Sequence, residues 1–433
     1  METTISAVHA REILDSRGRP TIEADVMLSD GSIGRAAVPS GASTGRREAV
    51  ELRDRQSKRF AGKGVLRAVK HVSDDIAAGI MGLDASDQRR VDERLIAIDG
   101  SADKSRMGAN ALLSVSMAVA RAAAASRRQP LYEYLSLGVD GHRLPVPMIN
   151  VINGGAHAAN PLDFEDFMLV PHGADSFREA VRWGAEVFYV LQDMLKRVGH
   201  ITAVGDEGGY AAEFWTPEEA LATMVAAIER AGYRPGKDVS LAIDVAASNL
   251  HQGDAYVFNK SHRQTLTTEG MIALFERLAD RFPILSIEDG LAEDDWSGWQ
   301  LLTGRLGDVV MLVGDDLFVT HADTIQRGIA ERAANATLIK LNQVGTVSET
   351  LDAIRVSHAG GYRTVISHRS GDTEDTFIAD LAVAAGSAFI KTGSLARSER
   401  VAKYNQLIRI EERLGASARY GLMKTQAAAQ RTS

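Results

Sequence analysis

Apolar positions in the second half of the chain fall into short unbroken runs rather than a strict alternation. Leu241-Ala-Ile-Asp244, Leu285-Ser-Ile-Glu288, Met311-Leu-Val-Gly-Asp315, Thr337-Leu-Ile-Lys340, Thr364-Val-Ile-Ser-His368 and Phe389-Ile-Lys391 each close on a charged or metal-capable side chain. From Asp315 to Lys340 is 25 residues, from Lys340 to His368 is 28, and from His368 to Lys391 is 23. Each interval holds one strand, one helix and two loops. Strands covered on both faces read as such continuous runs, and helix-connected parallel strands close most readily into a (β/α)8 barrel. Active sites of such barrels sit at the C-terminal strand ends, where these six side chains gather.

The first third of the chain has a different rhythm. Thr21–Leu28 partly alternates, Ser29-Asp-Gly-Ser32 turns, and Ile33–Val38 returns, which predicts a hairpin within a strand region over 3–40. Helical patterns follow at 63–80, 85–97 and 108–127. Glycines and prolines over 138–147 mark a boundary, giving an α+β domain over 1–138 and a barrel domain over 139–433. Met148–Ile152 and Phe164–Val170 read as strands with no long helix between them. Ser176 caps a helix that Gly199 ends, and the final helix spans 398–414. Residues 426–433 have little to bury and are expected to fray.

Composition narrows the picture. In 433 residues, 45% are apolar and 24% charged, as in ordinary globular proteins. A net charge of −8 argues against a nucleic-acid partner held by bulk electrostatics. The absence of cysteine excludes disulfides and thiolate chemistry. No basic segment followed by an apolar stretch opens the chain, so no secretory signal is expected. The apolar stretch Ala109–Ala125 carries Asn110 and Arg121 and reads as a buried helix rather than a membrane span. These features predict a cytoplasmic enzyme acting on a small anion.

Asp244, Glu288 and Asp315 supply the carboxylate oxygens that a hard divalent cation such as Mg²⁺ takes. Each acid alone could as well cap a helix or pair with a base. Three at one mouth would repel one another without a cation. Lys340 and Lys391 are expected to lower each other's proton affinity, as a lysine base near neutral pH requires. His368-Arg369-Ser370 offers a guanidinium fork and a hydroxyl to a phosphate or carboxylate. Gly154-Gly155-Ala-His157 and Gly205-Asp-Glu207-Gly-Gly209 allow close backbone approach to a ligand. Gly41-Ala-Ser-Thr-Gly45 lacks the lysine and the strand–loop–helix setting of a nucleotide P-loop.

Together these stretches, with Lys104-Ser-Arg106, Gly108-Ala-Asn110, Asn342-Gln343 and Lys391-Thr-Gly393, resemble enolase from about residue 5 to residue 415. The resemblance implies a small N-terminal α+β lid domain and a barrel that begins with two antiparallel strands. It implies Mg²⁺-dependent loss of water from 2-phosphoglycerate to give phosphoenolpyruvate, and a homodimer or higher homo-oligomer. By this resemblance Lys340 is the base, and Lys391 and the metals stabilise the dianion formed. Glu207 helps hydroxide leave as water, with Glu165 and Asp166 beside it. Asp244, Glu288 and Asp315 hold the first Mg²⁺, and Ser43 joins a second that arrives with substrate. Arg369 and Ser370 grip the phosphate, and His157 and His368 line the pocket.

Departures from the family pattern cluster near this chemistry. Asp166 stands where the family has glutamate, Glu165 where it has glutamine, and Asn249 where it has glutamate. Ala159-Asn160-Pro161, Tyr210-Ala-Ala-Glu213 and Arg19 also depart from it. Shortening a glutamate by one methylene withdraws its carboxylate by about 1.5 Å, enough to disturb a catalytic contact. These changes bring in a second enzyme, carboxyphosphonoenolpyruvate synthase, an enolase-like dehydratase acting on a carboxyphosphono-substituted glycerate in phosphonate biosynthesis. A third reading, a non-catalytic binding module, would have been favoured by loss of Lys340, Lys391 or a metal acid. All are retained.

Overall fold

The computed structural model describes residues 3–42, 44–138, 142–261 and 264–422. Its N-terminal part is a meander of β1 (Ile5–Leu14), β2 (Pro20–Leu28) and β3 (Ile33–Ala37). The helix Ala109–Ser126 packs across β2 and β3. Gly34 permits the close fit, because a Cβ there would lie 2.0 Å from the Ala118 carbonyl oxygen. This is the one described helix long and apolar enough to cross a membrane, but only Arg121 and Ala125 escape full burial within the domain. The expected hairpin and buried helix are both present.

The second part is a closed eight-stranded barrel. Its strands are β4 (Val146–Asn153), β5 (Asp166–Val170), β6 (Ser240–Asp244), then, beyond a small sheet of β7 (His251–Gln252), β8 (Ala255–Val257) and β9 (Thr265–Leu266), β10 (Ile284–Glu288), β11 (Met311–Gly314), β12 (Ala336–Ile339), β13 (Arg363–Ser367) and β14 (Phe389–Lys391). β5 runs antiparallel to both β4 and β6, and the remaining neighbours pair in parallel. Val146, Met148, Met168, Val170, Val313, Leu338, Val365 and Phe389 form a separate apolar cluster of the barrel strands. Helices cover the outside. The longest, Phe177–Arg197, starts where the Ser176 hydroxyl accepts the Glu179 N–H at 3.2 Å. The last, Ser398–Leu414, occupies the expected span. The expected fraying of 426–433 lies outside the described residues.

Candidate active site

Strand register assembles the site. Asp166, Asp244 and Glu288 sit side by side at one barrel end, because Asp244 pairs with Asp166 on one side and with Glu288 on the other. Asp315, Lys340 and His368 each follow directly on a strand, and Lys391 ends β14. With His157, Glu165, Glu207, Arg369 and Ser370, most of these line one pocket, and Asp289 and Asp316 join them. Glu288 is fully buried. Ser43, expected to join a metal, lies outside the described residues.

Lys391 Nζ donates to Asp244 Oδ2 at 2.6 Å and to both Glu288 oxygens at 3.0 Å, and lies 3.3 Å from Asp166 Oδ2. Lys340 Nζ donates to Asp315 Oδ2, whose Oδ1 accepts from Gln343 Nε2 at 2.9 Å. Lys391 does lower the proton affinity of Lys340, as expected, but the net shift of each lysine is upward. Burial does pull Lys391 down, but Asp244 and Glu288 outweigh it and hold the ammonium well above its ordinary range. Lys340 is likewise lowered by burial and raised more by Asp315, for a net rise. The lysines act as counter-charges to the buried acids, and that attraction exceeds their mutual repulsion.

The acids remain crowded. Burial, then Asp244 and Asp315, push the Glu288 carboxyl well above its usual range. Burial and Asp315 push Asp316 up to about 8. Burial, with help from Asp244 and Asp166, pushes Glu165 up to about 7. Such a concentration of carboxylates under like-charge strain suits a hard cation. Among the described residues, possible ligand atoms gather within 4.8 Å of one another in Asp289, Asp315 and Asp316, and in His157, Asp166 and Glu207. Neither is the expected Asp244, Glu288 and Asp315, of which Asp244 and Glu288 both accept from Lys391. Asp289 serves as a bracket in this structure: its two oxygens accept the Asp315 and Asp316 N–H groups, both at 2.9 Å.

The two histidines differ. Burial lowers His157, yet Glu207, Asp166 and Glu165 overcome it and hold the ring well above its ordinary value. Its Nε2 lies 3.0 Å from Ser370 Oγ and 3.6 Å from Glu207 Oε1. His368 is lowered by burial. Arg400 Nη1 donates to His368 Nδ1 at 2.5 Å, which leaves Nε2 to carry the proton 3.0 Å from Glu207 Oε2. Glu207 would be raised by burial, but the two histidines hold it well below its usual range.

Arg369 is held by Glu48 and by Asn342 Oδ1, the latter at 2.9 Å. A Cβ on Gly41 would lie 2.1 Å from its Nη2, so any side chain there would push the guanidinium aside. Sequence reading gave no role to Glu48, Asp289, Asp316 or Arg400. Asp289 and Asp316 adjoin strand-end acids and were within reach of the same argument; Arg400 sits in a helix whose pattern carries no sign of it.

A barrel mouth of buried carboxylates, two lysines and an anion-binding arginine defines a barrel enzyme suited to a metal ion and an anionic substrate. A family profile described as "Enolase, N-terminal domain" matches residues 5–135, and one described as "Enolase, C-terminal TIM barrel domain" matches residues 141–429. The chain belongs to the enolase family and is a carbon–oxygen lyase of the enolase type.

Proposed function

We propose that this protein removes water from 2-phosphoglycerate to give phosphoenolpyruvate. The observation that carries the reading is that Lys340, Lys391, Glu207 and Arg369 open onto one small pocket. A carbon proton next to a carboxylate is weakly acidic. Its removal needs a base and fixed positive charge for the second negative charge that develops. In this reading Lys340 takes the proton in its neutral form, and Lys391 faces the charged carboxylate. A cation on Asp315 would favour that neutral form by screening the carboxylate that otherwise holds Lys340 protonated. Glu207, with His157 and His368 against it, helps the hydroxide leave as water, the proton coming from His157. Arg369 and Ser370 hold the phosphate. Asp244, Glu288 and Asp315 would hold a Mg²⁺, and Ser43 a second; bound there, Mg²⁺ supplies positive charge against the substrate's oxygens. The reading includes a lid domain over 1–138, a cytoplasmic setting and a homo-oligomer.

A second reading, the same dehydration on a carboxyphosphono-substituted glycerate, is favoured by one observation. The departures at 165 and 166 both lie against His157, and the one at 249 touches Glu165. Turnover of the two substrates by the Mg²⁺-loaded protein separates the readings. Efficient use of 2-phosphoglycerate, with kcat/KM of roughly 10⁴ M⁻¹s⁻¹ or above, supports the first. Failure on it with turnover of the larger substrate establishes the second.

A further inference from the structure

Two positions at which the chain departs from the family pattern touch each other. Asn249 Nδ2 donates to Glu165 Oε1 at 3.0 Å. Where the family places glutamine at 165 and glutamate at 249, this chain has exchanged carboxylate and amide across one hydrogen bond. The exchange moves a negative charge from the rim, where Asn249 is exposed, to a residue only 4% exposed that lines the pocket.

The neighbouring departure complements it. Successive residues at a strand's start direct their side chains to different sides, and Glu165 and Asp166 separate in this way. Asp166 is enclosed: its Oδ1 accepts from Asn150 Nδ2 at 2.6 Å and Asn153 Nδ2 at 2.8 Å, and meets His157 Nδ1 at 3.0 Å. It is not among the residues lining the pocket, whereas Glu165 is. Glu165 Oε2 lies 3.6 Å from His157 Nε2, the nitrogen that also faces Glu207 and Ser370. Gly155 makes room for this side chain, since a Cβ there would lie 2.4 Å from Glu165 Cγ.

We propose that Glu165 is the carboxylate this protein presents to the departing hydroxyl, with Asn249 as its positioning residue, while Asp166 holds His157 and the two asparagines. The proposal rests on the dehydration reading above. The carbon proton passes to Lys340, the electron pair left behind forms the double bond, the carbon–oxygen bond breaks, and the hydroxide takes the proton that His157 Nε2 carries beside Glu207. Glu165 accepts the hydrogen bond of that hydroxyl and fixes its direction of departure.

The test uses the Mg²⁺-loaded full chain, with 2-phosphoglycerate and the carboxyphosphono-substituted glycerate as probes. Dehydration and exchange of the substrate's carbon proton with solvent deuterium are measured in Glu165→Ala, Glu165→Gln and the double variant Glu165→Gln/Asn249→Glu. Loss of an aligning contact should slow dehydration by about 100-fold in Glu165→Ala. Exchange should stay within about threefold, because Lys340 is untouched. The double variant restores a carboxylate–amide bond but returns the charge to the rim, so dehydration should stay slow. Recovery in the double variant would show that the bond is merely structural and overturn the proposal. So would unchanged dehydration in both single variants. A wild type inactive on both probes would overturn the dehydration reading and this proposal together.

Discussion

Glu48 of the N-terminal loop and Arg369 of the barrel form a two-point ion pair, Nη1 to Oε2 at 2.9 Å and Nη2 to Oε1 at 3.1 Å. The guanidinium is 3% exposed. Glu48 Oε1 also accepts the Gly45 N–H at 3.1 Å, so the same carboxylate braces the loop it belongs to. In the proposed function Arg369 grips the phosphate, and Glu48 presents a carboxylate to the fork that the phosphate would use.

Glu48→Gln should therefore do two things. Breaking a buried pair at one partner costs about 3–5 kcal/mol, so the melting temperature of the ligand-free protein should fall. Added 2-phosphoglycerate with Mg²⁺ should then raise that temperature more in the variant than in the wild type, because the ligand no longer competes with the Glu48 carboxylate for Arg369. Equal ligand-induced shifts would show that phosphate does not use Arg369.

Lys340→Ala addresses the base. Dehydration and carbon-proton exchange should both fall, by about 10⁴-fold at the upper end for a general base, while substrate still binds through Arg369. Exchange surviving in this variant would assign proton removal to another group.

The metal acids make a prediction that needs no turnover. Glu288 is held well above its usual range by burial and by Asp244 and Asp315, a repulsion that a cation relieves. Mg²⁺ should raise thermal stability, by about 2.7 kcal/mol at one hundred times its Kd. Asp315→Asn should shrink that gain, and EDTA should remove activity. Full activity in excess EDTA would assign the acids another purpose.

The barrel and the ring of strand-end residues were legible because parallel strands all finish at one mouth, so chain order sufficed to bring Asp244, Glu288, Lys340 and Lys391 together. What each side chain touches there was not. The rise in Lys391 depends on Asp244 at 2.6 Å, a fact of barrel diameter and rotamer. The Arg400 contact that sets the His368 tautomer reaches back from a helix whose apolar pattern is indifferent to it. Glu48 and Arg369 lie 321 residues apart, and neither sequence setting points to the other. The asparagine at 249 was visible as a departure. Its meaning came only from the discovery that it touches the departure at 165.

Asp380 gives a stability prediction away from the chemistry. It lies on the helix Phe377–Ala384, is 5% exposed, and accepts a hydrogen bond from Gln406 Nε2 at 3.1 Å. Burial pushes its carboxyl up to about 6 against an ordinary 3.8, with Arg121 opposing only in part. A raised acid means the folded state binds more protons than the unfolded state between about pH 4 and 6. Stability is therefore highest below that window, falls as pH rises through it, and is flat above. A shift of this size corresponds to about 3 kcal/mol at neutral pH. Asp380→Asn keeps the acceptor for Gln406 and removes the buried charge, so urea unfolding at pH 8 should show the variant to be the more stable. That advantage should shrink as the pH is lowered from 6 and vanish near 4. An advantage independent of pH would trace to packing, and a less stable variant at pH 8 would show that the Arg121 attraction outweighs the burial of the charge.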